Sequence, residues 1–210
     1  GPAFEGGLVE YGMPACEGAI EAVKYRNGSF DCLTIGETVA TGFCGSGLIQ
    51  LLAELRRHNL MTEKAVFADK AREFAIVAQQ GITFSRADAS HLAQAKAANY
   101  CGQFALLRQY GITANEISKL YLAGGFANYI DPIASIEIGF LAPVPVERIE
   151  KIGNGASQGA SEMLLSSTKR NSAAAVIDNI EHVELETIPD FFDLFVEGCQ
   201  FKPMPHGINN

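Results

Sequence analysis

The chain has 210 residues, 48% of them apolar, and its 16 Lys and Arg against 24 Asp and Glu give a net charge of −8. That length and composition can bury one substantial core and exclude a disordered chain, and the acid excess, with no basic run longer than Arg56-Arg57 or Lys169-Arg170, excludes a nucleic-acid partner, which needs clustered positive charge to displace counterions. No apolar run approaches bilayer length and no basic stretch leads into an apolar one at the start, so neither a membrane span nor a leader is expected and the protein should be soluble and cytoplasmic.

The start, Gly1-Pro2-Ala3-Phe4-Glu5-Gly6-Gly7, lacks a methionine and reads as the beginning of a fragment, with Gly1-Pro2 either native or a protease scar. Residues 1–29 are rich in turn formers and predict loop and edge-strand material around Gly18–Val23. Asn27-Gly28, between Ala22–Tyr25 and Phe30–Ile35, predicts a hairpin, because a type I′ turn wants positive φ at both central positions. Five cysteines, Cys16, Cys32, Cys44, Cys101 and Cys199, are widely spaced without a Cys-x-x-Cys or a nearby His, which predicts reduced, mostly buried thiols rather than a metal site.

Thr41–Gly47 then opens a helix whose Leu48, Leu51, Leu52 and Leu55 share one face. Glycines and a serine at a helix start admit two readings. Gly45-Ser46-Gly47 either offers free N–H groups to a phosphate or carboxylate, or is a close-packed turn with Ser46 as the cap. No Lys follows, so this is not a Walker A loop. Glu54 and Arg57 are expected on the solvated face of that helix.

Short strands are expected at Ala65–Phe67 and Phe74–Ala78. Ser85 and Asp88 form a capping-box signature before the longest helix, which should end at Gly111. Lys96, mid-helix, is expected on the exposed face. Leu120–Ala123 fits a buried strand that runs into Gly124-Gly125 and then a helix with Asn128 and Asp131 as capping types. Without Cβ atoms there, a flat ligand can lie on the peptide planes; the alternative is mere close packing of strand and helix.

Ile149–Ile152 and Gly153–Ala160 repeat the strand–glycine–helix form, with Asn154 as cap or ligand contact, and the two units are expected to frame opposite sides of one cleft. The tail predicts a helix near Ala173–Ile180, a strand at Val183–Leu185, and an apolar turn at Asp190–Val196 that plugs a core or contacts another subunit.

Gly-Pro-Ala-Phe-Glu-Gly, Gly-Phe-Cys-Gly-Ser-Gly-Leu, Leu-Ala-Gly-Gly-Phe with Asn128 to Asp131, Ile-Gly-Phe-Leu-Ala-Pro and Gly-Asn-Gly-Ala-Ser-Gln-Gly-Ala, in that order, resemble the C-terminal part of the reductive activators of corrinoid proteins. The resemblance spans nearly the whole chain. It implies an α/β fold, an actin-like ATPase lobe with a ribonuclease-H-like mixed sheet flanked by helices, of the acetate and sugar kinase, Hsp70 and actin superfamily, here as one lobe over 1–210 with an extension from 170.

It further implies ATP with Mg2+ as cofactor of an intact protein, a [2Fe-2S] cluster only in an N-terminal region absent here, and reduction of a Co(II) corrinoid to Co(I) on a corrinoid protein or corrinoid methyltransferase. A homodimer is a further expectation. Carried over residue by residue, Ala123, Gly124, Gly125 and Phe126, with Asn128, resemble the adenosine motif. Gly45, Ser46 and Gly47 would form the opposite wall, and Gly153 and Asn154 resemble the second connecting motif. Ala127 stands where the family commonly has glycine.

The family's Asp-x-Gly-Thr phosphate loops do not occur in this sequence; they are expected before residue 1, and the fragment alone is expected to be inactive. The resemblance leaves two alternatives, a nucleotide-independent docking module for the corrinoid protein, and a small-molecule kinase or dehydratase activator on the same fold.

Overall fold

The computed structural model describes residues 2–206; Gly1 of the Gly1-Pro2 start and the last four positions of the 170–210 tail lie outside the described residues. Asn27 and Gly28 take φ of 51° and 84°, and this turn folds β1 (Ala19–Arg26) onto β2 (Ser29–Thr34) in antiparallel register, Arg26 opposite Ser29. The Gly18–Val23 run is not edge material, however. β3 (Gly42–Phe43) pairs parallel with Ala19 and Ile20, so β1 is central in a sheet of order β2-β1-β3.

Phe43 leads into α1 (Gly45–Arg57), where Leu48, Leu51, Leu52 and Leu55 are fully buried with Ile20, Val23, Phe67 and Phe84 in one core. Each such side chain contributes about 1.5–3 kcal/mol on leaving water. Glu54 is not on a solvated face. It is 3% exposed and accepts from the Tyr25 N–H at 2.8 Å and from Arg57 at 2.5 Å. Burial pushes its carboxyl up, but the Tyr25 N–H, Arg57 and Lys24 together hold it below the usual carboxylate range. Arg57 is exposed, as expected, and also reaches Glu137 at 2.6 Å. Glu54, which looks solvated in sequence, is thus covered by β1 and pinned to it by charge-assisted hydrogen bonds, while Arg57 stays in solvent.

β4 (Glu73–Val77) and β5 (Ile82–Ser85) pair antiparallel. Ala65–Phe67 is not a strand; it makes a single bridge, Met61 to Phe67. α2 (Arg86–Tyr110) starts with the expected box, Asp88 N–H donating to Ser85 Oγ and Ser85 N–H to Asp88, and ends at Gly111 with φ 66°. Asp88 also accepts from the Glu10 N–H at 2.9 Å, tying the N-terminal segment to the helix.

Lys96 is fully buried rather than exposed, its Nζ 3.5 Å from the Gly139 carbonyl oxygen and 5.2 Å from the Tyr100 ring centre. Burial pulls the amine down to about 8, against the opposing pull of Cys199, Glu197 and Cys101. The covering element is α7 (Phe191–Gly198), which packs on α2 and places Leu194, with Phe191 and Phe195, in a second small core, while Phe192 stays exposed.

β6 (Leu120–Ala123) and β7 (Ile149–Gly153) pair parallel. Between them lie α3 (Gly125–Tyr129) and α4 (Pro132–Glu137), the latter capped by Asp131. After β7 come α5 (Gly155–Leu165) and α6 (Ser167–Ile177), which pack on each other, and no residue from Lys151 to Asp190 is buried. Val183–Leu185 forms no strand; a short 3-10 turn, Leu185–Thr187, stands there. All five cysteines are free, but only Cys44 and Cys101 are buried; Cys32 and Cys199 are half-buried and Cys16 is exposed. Among the described residues no helix is long and apolar enough to cross a membrane.

Candidate functional site

Gly124 holds φ 100° and ψ 162°, a conformation closed to residues with a Cβ, and this lets β6 break sharply into α3. Its N–H donates to the Gly153 carbonyl at 2.7 Å. Gly125 is exposed, and nothing lies within 4 Å of where a Cβ would stand on either glycine. The turn therefore faces open space.

That space is a cavity of about 500 Å³. One wall is Gly125, Phe126 and Tyr129 of α3; the facing wall is Cys44, Gly45 and Ser46 at the start of α1; Phe4, Glu5 and Met13–Ala15 close it from the N-terminal segment. The walls approach closely because Gly45 has no side chain: a Cβ there would stand 2.3 Å from the Phe4 carbonyl and 2.4 Å from the Phe126 ring. Phe4 and Phe126 form an apolar floor backed by Phe140, the three rings packing edge to face or tilted with centres 5.2 to 6.1 Å apart.

Ser46 is not the cap of α1. Cys44 is the N-cap residue and no side chain caps the first turn; Ser46 is buried, its Oγ 3.2 Å from Cys44 Sγ. A smaller cavity of about 210 Å³, lined by Glu21 and Ile35, shares Ala15, Cys44, Ser46 and Tyr129 with the first, so the two form one trough.

Of the sequence-derived positions, the structure gathers Gly45, Ser46, Gly125 and Phe126 around this cavity, with Ala123 and Gly124 on the strand end that feeds it. Gly47 is buried against the Ile20 carbonyl. Asn128 caps nothing and lies inside α3. Gly153 and Asn154 do not face across a cleft from Gly124. Because β6 and β7 are parallel neighbours, the two glycine turns emerge side by side at one end of the pair, and Asn154 caps α5 through the Ser157 N–H at 3.0 Å. The sequence reading missed Phe4, Glu21 and Tyr129. An aromatic residue four positions after the glycine pair was the available signal for Tyr129.

A separate cavity of about 520 Å³, between α2 and α7 with Lys64, Arg86 and Cys199 on its walls, touches neither glycine turn. No group of three or more His, Cys, Asp or Glu converges as a metal site among the described residues.

The family model for the C-terminal domain of RACo, the ASKHA domain, matches residues 1–207. The chain is 32% identical over 225 residues to the corrinoid activation enzyme RamQ of Eubacterium limosum, covering 96% of this chain and 38% of that protein. A solved structure, a reductive activator for corrinoid, iron-sulfur protein, superposes with a TM-score of 0.82 at 28% identity, covering 97% of this chain and 35% of its own. The chain thus spans little more than a third of either relative.

Proposed function

The chain belongs to the family of the C-terminal domain of RACo, the ASKHA domain, and from that premise we propose that it is the nucleotide-binding lobe of an ATP-dependent reductive activator. In this reading the intact protein returns a Co(II) corrinoid to Co(I) on a corrinoid protein or corrinoid methyltransferase in the cytoplasm. The mixed α/β fold of actin-like ATPase lobes is the framework. The proposed lobe covers 1–210, with the stretch from 170 as an extension, and a [2Fe-2S] cluster belongs to a separate N-terminal region.

The observation that carries the reading is the open Gly124-Gly125 turn facing the uncapped start of α1 across an apolar cavity. Its residues fit a flat heteroaromatic ring: Gly125 presents bare backbone and Phe126 and Phe4 an apolar floor, a concave site with few polar groups of the kind that seats small ligands. Bound ATP would supply the free energy of phosphate transfer. This chain's own residues hold the base side and exclude water from it.

Gly125 has ordinary helical backbone at the first position of α3, where an acidic residue is well tolerated, and no atom crowds it. Gly125→Asp should therefore fold normally while placing a carboxylate over the cavity. Calorimetry of the intact activator with ATP should show affinity falling by about tenfold or more, a loss of about 1.4 kcal/mol or greater. Unchanged affinity removes the base-binding role.

A further inference from the structure

The cavity of about 520 Å³ between α2 and α7 lies apart from both glycine turns and collects positive charge. Arg86, Ser90 and Gln94 stand on successive turns of α2 and line it together; Val196 and Cys199 come from the end of α7, and Lys64 from the loop before β4. Among the described residues no Asp or Glu lines this cavity, and neither Lys64 nor Arg86 makes an ion pair. Glu197, on α7, is already engaged by Lys202 at 2.7 Å and by the Gln200 amide at 2.9 Å. The Lys96 amine, buried beneath α7 and close enough to feel Cys199, is in no ion pair either. In a chain of net charge −8, two unpaired cations from separate segments on one concave wall run against the average and focus a positive field there.

The framework of the cavity is fixed. The Phe201 N–H donates to the Glu63 carbonyl at 2.8 Å, and Arg56 donates to the Phe201 and Met61 carbonyls at 2.9 and 2.7 Å. The loop that carries Lys64 is therefore tied to the chain leaving α7, and Lys64 and Arg86 are presented from walls that do not shift independently.

We propose that this cavity binds a small organic phosphomonoester, Arg86 and Lys64 sharing the phosphoryl oxygens, Ser90 and Gln94 donating to them, and the organic body lying over Ala93 and Val196. Two cations without an acid call for a dianion, and the Arg fork matches two oxygens of one phosphoryl group while the ammonium takes a third. A single exposed cation holds an anion weakly, but here both act on one group inside a cavity of ligand size whose remaining wall is apolar. The inference is independent of the nucleotide reading.

The test is calorimetry of the intact activator with phenyl phosphate, inorganic phosphate and benzoate at matched ionic strength. Phenyl phosphate should bind with a Kd of about 1 mM or below, at least about tenfold tighter than benzoate, which has the same ring and one charge fewer; inorganic phosphate should fall between them. Arg86→Gln and Lys64→Gln, both at exposed positions without ion pairs, should keep the fold and each weaken phenyl phosphate by about fivefold or more. Cys199, half-buried on the cavity wall, supplies the local readout. Saturating phenyl phosphate should slow its alkylation by iodoacetamide, followed by peptide mass spectrometry, by about fivefold or more while the exposed Cys16 reacts at an unchanged rate.

No binding of phenyl phosphate up to about 10 mM overturns the proposal, as does benzoate binding equally well, affinity unmoved by Arg86→Gln and Lys64→Gln, or alkylation of Cys199 unslowed at saturation. Gly125→Asp should leave phenyl phosphate binding unchanged. If it abolishes that binding, the probe sits in the other cavity and this inference falls while the nucleotide reading stands.

Discussion

Lys96 is the residue at which local pattern and tertiary packing disagree most. A lysine in the middle of a helix is ordinarily solvated, yet here α7 and the Gly139 turn close over it, and burial brings its amine from 10.5 to about 8. A folded-state value below the unfolded one means that the unfolded chain binds more protons between those two limits. The cost is therefore fully present below about pH 8 and is relieved as pH rises toward 10.5. The ring faces of Tyr100 and Phe201 recover part of it. Lys96→Met should accordingly stabilise the chain at pH 7 by about 1–3 kcal/mol, with the gain shrinking between pH 8 and 10. Urea unfolding across that range checks it. A gain independent of pH would show that burial does not shift the amine, and a loss that its contacts outweigh the cost of burial.

Among elements, α2 was the most legible, because everything that starts and stops it is local: Ser85 and Asp88 at one end, Gly111 at the other. What the sequence hid is that Asp88 also holds the Glu10 N–H, a partner 78 residues away. Asp88→Ala removes the acidic half of the capping box and leaves the Glu10 and Ser85 N–H groups without their carboxylate, and should cost about 1–3 kcal/mol; a loss below about 0.5 kcal/mol in urea unfolding would mean that water replaces the carboxylate freely. The β1–β2 hairpin was readable for the same local reason. The placement of β1 at the sheet centre was not, since β3 arrives from beyond the hairpin and only two residues make the pairing. Glu54 follows the same logic: helical spacing says which residues share a face, and only the fold says which faces are covered. At the site, glycine pairs marked where backbone is bare, but the slip in the β1–β2 register at Glu21, which lines the smaller cavity, has no signature in composition or period.

At the scale of the molecule, burial is uneven. α1 has ten buried residues out of 13, whereas α5 and α6 have none and leave Leu164, Leu165, Val176 and Ile177 exposed. Local opening free energy tracks buried apolar contact, so the α5 and α6 amides should exchange with solvent at least about a hundredfold faster than those of α1. Hydrogen exchange followed by mass spectrometry resolves the two regions, and equal protection would mean that the helical pair is stabilised by something other than core contacts.

The hydrogen bond from the Gly124 N–H to the Gly153 carbonyl lashes the cavity's rim to the root of this outlying pair. Among the described residues β6 and β7 form a two-rail ribbon with no third strand to stiffen it, so whatever settles on the rim also steadies the foot of α5. The outrigger thereby becomes a gauge of the berth. In the same exchange experiment, a saturating ligand should slow the first turn of α5 although that turn lines no part of the cavity.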